Sequence, residues 1–257
     1  MKRFFSIAVV FVSSLFIAGV SFAQPIDSIR FFTDESILEM ELSTDIKALQ
    51  SEKGKDVFQP AGIKMKFSDG TLIEESIQAG ARGNFRRNYC RIPPMMLQFR
   101  NPTSPRLHPL GKLKLVIGCG TSSIEEELVL KEYIAYKLYN ILTDKSFRVR
   151  LAKTAYSDSR GKIKPFTQYS FFIEDDGDMA RRNNYKKKTH GQYLTEATDR
   201  ETMTLVAIFQ YMIGNTDWSV PNEHNVELVF SRENEILPPI VVPYDFDYCG
   251  LVDASYA

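Results

Sequence analysis

An α+β fold in two lobes, β-rich first and helical second, is what the sequence predicts, on three observations. Residues 24–120 carry alternating apolar and polar runs broken by turn residues, two amphipathic helical stretches come next, and short strands with clustered Asp and Asn lie between and after them. The expected layout is a signal segment over 1–23, an N-terminal antiparallel β lobe over 24–120, and a helical C-terminal lobe over 121–257.

The first segment stands outside the fold. MKRFFSIAVVFVSSLFIAGVSFAQP places Lys2 and Arg3 before an apolar run and ends it with Ser21-Phe22-Ala23, small residues at the two positions a signal peptidase reads. Cleavage there predicts an exported chain, periplasmic, cell-surface or secreted, with no stable membrane span after processing. A retained anchor is the alternative, because the run nearly reaches spanning length. The 32 Lys and Arg balance 32 Asp and Glu, which removes the electrostatic case for nucleic acid or an anionic membrane as partner. In an oxidising compartment a pair among Cys90, Cys119 and Cys249 is expected to bridge, and Cys90 with Cys119, each beside an expected strand, is the favoured pair. Three reduced, buried thiols are the other reading.

The β lobe is read from "ILEMELSTDI", "GIKMKFSDGTLIEESIQAGARG", "PPMMLQF" and "KLKLVIG", with Ser68-Asp69-Gly70 supplying turn chemistry. "SIEEELVLKEYIAYKLYNIL" then predicts a long helix capped at Ser122 or Ser123, its apolar stripe running through Leu128, Tyr133 or Ile134, Leu138 and Leu142. "SFRVRLAKTAYSD" and "PFTQYSFFIEDD" read as strands, "EDDGD" as a solvated turn and "ARRNNYKKKTHGQ" as an exposed loop. "DRETMTLVAIFQYMIGN" is the second helix, opened by Asp199 and closed by Gly214-Asn215. Strands, helix, strands, acidic turn, helix, Asp loop and strand pair is the order of a protein-kinase-like fold.

The quoted stretches resemble the CotH-like kinase family, named after a spore-coat protein. "ARGNF" is similar to its Arg-Gly-Asn turn, "EYIAYKLYN" to its central helix, and "FFIED" to the strand ending in Glu before its inter-lobe linker. "GNTDW", "HNVELV" and "YDFDYCG" resemble its Asn-x-Asp-Trp, Asn-strand and Asp-x-Asp elements. Over residues 78–251 the resemblance implies an atypical kinase that uses ATP with Mg2+ or Mn2+ and phosphorylates a protein or cell-surface acceptor. Its pattern would put a basic residue in the strand that here reads Met95-Met96. A kinase-like lower lobe also needs helices beyond Asp247, so a truncated chain is expected.

Phosphoryl transfer needs a carboxylate near the acceptor hydroxyl and oxygen ligands for a cation on the phosphates. Asp217 is the expected base or acceptor-orienting group. Asn225, which leads into "VELVF", is the expected metal ligand together with Asp245 and Asp247, two residues apart and so on one face of a strand; Asn222 is the alternative amide. Candidate nucleotide contacts are Arg82, Lys112, Lys114 and Glu174. The plainer readings are a helix-end turn for Asp217, a solvated strand end for the Asp pair, a salt bridge at the Gly83 turn for Arg82, and exposed surface for the lysines. Two other classes stay open: a non-catalytic extracellular binding module, and a metal-dependent hydrolase in which His224 joins Asp217, Asp245 and Asp247.

Overall fold

The computed structural model describes residues 29–52, 57–83, 85–187, 191–234 and 236–255. The expected signal peptide, Asn84 of the Arg-Gly-Asn stretch, Lys188 and His190 lie outside them. After α1 (Ile29–Thr33), strands β1 (Leu38–Thr44), β2 (Gln59–Lys66), β3 (Leu72–Ala81), β4 (Met95–Gln98) and β5 (Lys112–Val116) run as an antiparallel meander, with α2 (Ile46–Ser51) after β1 and α3 (Arg86–Tyr89) between β3 and β4. Each strand alternates. In β1, Leu38, Met40 and Leu42 face inward while Glu39 and Glu41 face water, the period-2 pattern that one buried face requires.

The long helix α4 (Ser123–Leu142) then crosses the outside, and β6 (Val149–Asp158) and β7 (Phe166–Ile173) return to the meander. β7 pairs antiparallel with β5, Leu115 opposite Phe172, and β6 pairs parallel with β1, Leu42 opposite Tyr156. The sheet therefore closes into a seven-stranded mixed barrel in the order β1-β2-β3-β4-β5-β7-β6. Inside it lie Leu38, Leu42, Met65, Ala79, Leu97, Leu113, Leu115 and Phe172, all buried.

This overturns the expected two-lobed kinase-like fold with a helical lobe. Five meander strands alone would leave two edges of unpaired backbone groups; β6 and β7, from beyond residue 120, cover both. Beyond the barrel the chain forms α5 (Asp176–Arg182), α6 (Arg200–Met212) and a three-stranded sheet of β8 (Tyr185–Lys187), β9 (Val226–Ser231) and β10 (Ile240–Pro243), ordered β10-β9-β8. A second core joins these to the outer face of the barrel: Val116, Val149, Phe171 and Ile173 meet Val129, Tyr136 and Tyr139 of α4, Val206 and Phe209 of α6, and Val229 and Val241 of the small sheet.

The two long helices begin where their capping residues indicate. Ser122 Oγ accepts from Glu125 N at 3.3 Å and Asp199 Oδ1 from Thr202 N at 2.9 Å. The buried face of α4 differs from the expected one: Val129, Glu132, Ala135, Tyr136 and Tyr139 face in, while Ile134, Leu138 and Leu142 are exposed. The two tyrosines bury large apolar rings and keep a polar tip, so they outcompete the leucines for the inner stripe. "EDDGD" is the first turn of α5, Asp175 capping Gly177 N at 2.8 Å, and "ARRNNYKKKTHGQ" contains β8. Both elements are short, and a polar surface hid their period.

Leu42, 1% exposed and on the strand that closes the barrel, is expected to cost about 2–5 kcal/mol when replaced by Ala. Urea denaturation of Leu42→Ala checks this.

Candidate functional site

A cleft of about 690 Å³ opens where the β3–α3 segment meets the loops around the small sheet. The first segment contributes Arg82, Arg86 and Arg87, with Met96 of β4 beside them; the loops contribute Asp217, Asn225, Asp245 and Asp247. Cationic and acidic side chains thus line one hollow.

Asp217 is placed by the end of α6. The buried Asn215 amide is pinned to Gln210 Oε1 at 3.0 Å, and its Oδ1 accepts from Asp217 N at 3.0 Å, which turns the chain into the cleft. Asn225 Nδ2 donates to Asp217 O at 2.8 Å and to Asp217 Oδ2 at 3.0 Å. His224 Nε2 bonds Asp217 Oδ1 at 2.8 Å. Because its amide nitrogen is committed, Asn225 offers only Oδ1 to a ligand.

Strain concentrates here. Of the six non-glycine residues with positive φ among the described residues, Glu223, Asn225 and Asp245 line the cleft, at 49°, 53° and 62°. Asn and Asp tolerate the left-handed region better than most side chains, whereas Glu there is uncommon, and such outliers gather at functional sites. Asp245 is not on a strand, since β10 ends at Pro243; its backbone N–H donates to Tyr136 Oη at 2.8 Å.

Behind the cleft floor Arg86 sits between two carboxylates, Nη1 lying 3.8 Å from both Glu132 Oε2 and Asp247 Oδ2, while Nη2 donates to Ile117 O. Glu132 and Asp247 are 2% and 5% exposed. Burial, and then the charge of Asp247, holds the Glu132 carboxyl well above the usual carboxylate range, with Arg86 pulling the other way. Glu132 Oε1 has no hydrogen-bond partner among the described residues. The arginine's own segment is stapled: α3 ends at Cys90, which is bonded to Cys119 with 4.6 Å between Cα atoms, the pairing that the sequence favours. Ile92 N donates to Cys119 O at 3.1 Å, and Cys119 N to Glu125 Oε2 at 2.8 Å, so α3 is tied to the start of α4. Cys249 is free and buried.

Of the residues the sequence singles out, Arg82, Asp217, Asn225, Asp245 and Asp247 come together on the cleft. Asn222, exposed and bonded through its N–H to Ser219 Oγ, does not join them. Lys112 is exposed on β5 over the Phe58 ring, and Lys114 pairs with Asp176 at 2.9 Å. Glu174, fully buried, takes both forks of Arg182 at 3.0 Å and Arg148 N at 3.0 Å, a structural knot away from the cleft. The cations that do line the cleft include Arg86 and Arg87, which the sequence patterns do not single out, and the same holds for Glu132 and Tyr136. A charged residue in register with Val129 and Tyr136 was the available signal for Glu132.

The donor set suits a hard cation. Asn225 Oδ1 and the Asp245 and Asp247 carboxylates are all oxygen donors, and Mg2+ takes one or two carboxylates and fills the rest of its shell with phosphate and water. Among the described residues no group of three or more His, Cys, Asp or Glu is arranged to hold a metal ion. Among those residues, too, no helix is long and apolar enough to cross a membrane. Compared with models of protein families the chain matches none, and no curated protein matches it in sequence.

The buried groups give two expected outcomes. Arg86→Met leaves Glu132 and Asp247 without the cation between them and is expected to lower stability by roughly 3–5 kcal/mol, whereas Glu132→Gln, which keeps the neutral form that burial favours at this carboxyl, leaves the unfolding midpoint unchanged or raised. Replacing Cys90 and Cys119 together by Ser is expected to cost about 2–4 kcal/mol. Hydrogen exchange should show the loss as earlier opening around α3.

Proposed function

We propose that the cleft binds ATP together with Mg2+ or Mn2+ and transfers the terminal phosphoryl group to a hydroxyl of a protein or cell-surface acceptor. The observation that carries this reading is that Asn225 and Asp247, both buried, share one cleft with Arg82, Arg86 and Arg87. Opposed sets of this kind suit a polyanion that is itself cation-bound, since neither set alone would tolerate the phosphates or the metal so far out of water. The resemblance of "GNTDW", "HNVELV" and "YDFDYCG" to the CotH-like kinases supports the same chemistry on a barrel scaffold.

In this reading Asn225, Asp245 and Asp247 would hold the cation, which would draw charge off the phosphates when bound. Arg82 and Arg87 face the phosphate oxygens, taking the role that a basic residue at Met95 or Met96 would have filled. Asp217, fixed by Asn215 and Asn225, orients the acceptor hydroxyl and receives its proton. The acceptor oxygen forms a bond to the terminal phosphorus as the bond from that phosphorus to its bridging oxygen breaks, and ADP leaves. The Cys90–Cys119 bond supports an exported location, because disulfides persist in oxidising compartments.

A thermal-shift titration tests the binding half. ATP with Mg2+ or Mn2+ at about 100 times its Kd should stabilise the native protein by about 2.7 kcal/mol. Asp247→Ala and Asp245→Ala should abolish the shift. Asp217→Ala should retain it and lose transfer of label from γ-labelled ATP. No shift with any nucleotide and either metal would end this reading.

A further inference from the structure

The mouth of the cleft is aromatic in a way that the nucleotide reading does not use. Phe85 and Tyr89 are 46% and 61% exposed, and their rings stack at 5.0 Å between centroids with planes 19° apart. Tyr248 meets Phe85 edge-on at 6.3 Å and lines the cleft with it. The cleft lined by Phe85 and Tyr248 also carries the polar groups Asp217, Glu223 and His224.

We propose that this margin binds the flat face of a pyranose sugar and presents one of its hydroxyls to Asp217. A pyranose is amphipathic by geometry: one face is C–H, which stacks on exposed aromatic rings, and its rim is hydroxyl, which bonds to carboxylate and imidazole. The margin supplies both. An extended peptide finds less here, because it gains affinity by adding to an unpaired strand edge. β3 and β4 are paired on both sides in the closed barrel, and β10, which pairs only with β9, is four residues long and wholly buried. The acceptor role rests on the phosphoryl-transfer reading; sugar binding itself does not.

The test is saturation-transfer NMR and titration of the intact protein with methyl β-glucopyranoside, methyl β-galactopyranoside and N-acetylglucosamine, each with and without Mg·ADP. At least one should receive transfer at its ring C–H protons, Tyr89→Ala should raise its Kd at least tenfold, and Tyr89→Phe, which keeps the ring, should retain wild-type affinity. Circular dichroism of Tyr89→Ala confirms that it is folded. Binding of none of the three sugars, or equal binding by Tyr89→Ala, overturns the proposal, as does a Ser/Thr peptide library that binds in their place and loses affinity with the same variant. A nucleotide shift without sugar binding would sink this inference alone, and sugar binding without a nucleotide shift would sink only phosphoryl transfer.

Discussion

The arrangement of the cleft depends on one guanidinium. Glu132 and Asp247 are both buried and both acidic, and two carboxylates so far from water repel unless a cation divides them or one takes a proton. Arg86 stands 3.8 Å from each. Each is a long contact, shared rather than tight, and a shorter bond from the same side chain goes to the Ile117 carbonyl.

From that interaction the roles of the surrounding elements follow. α4 lies across the barrel, and its inner stripe serves both aspartates: Glu132 faces Asp247 through Arg86, and Tyr136 receives the N–H of Asp245. The disulfide fastens the arginine's short helix to the turn that starts α4, so the cationic and acidic sides of the cleft are referred to the same helix. Asp217 is held separately, through Asn215 at the end of α6 and Asn225 at the start of β9. Closing the barrel gives both a rigid base, since every strand bordering the arginines is paired on its two sides.

How much of this was legible depends on which signals are local. Caps at Ser122 and Asp199, alternation in β1 to β5, and the pairing of Cys90 with Cys119 are written in short stretches and could be read there. Closure could not, because whether β6 lies alone or beside β1 is a contact between residues more than a hundred positions apart, such as Leu42 and Tyr156. The acidic and amide residues of the cleft stood out by spacing. The cations did so only in part: Arg82 stood out beside the Gly83 turn, Lys112 and Lys114 look right on a strand but belong to the surface and to Asp176, and Arg86 and Arg87 hid in a four-residue helix with no pattern of its own. On α4 the leucines advertised one face and the tyrosines took the other.

The most direct measurement is anomalous diffraction from a crystal grown with Mn2+ and a non-hydrolysable ATP analogue. The expected result is one manganese peak at about 2.0–2.3 Å from oxygens of Asp247 and Asn225, with the phosphates turned toward Arg82 and Arg87. A nucleotide bound elsewhere, or a cleft that holds neither metal nor phosphate, would contradict it.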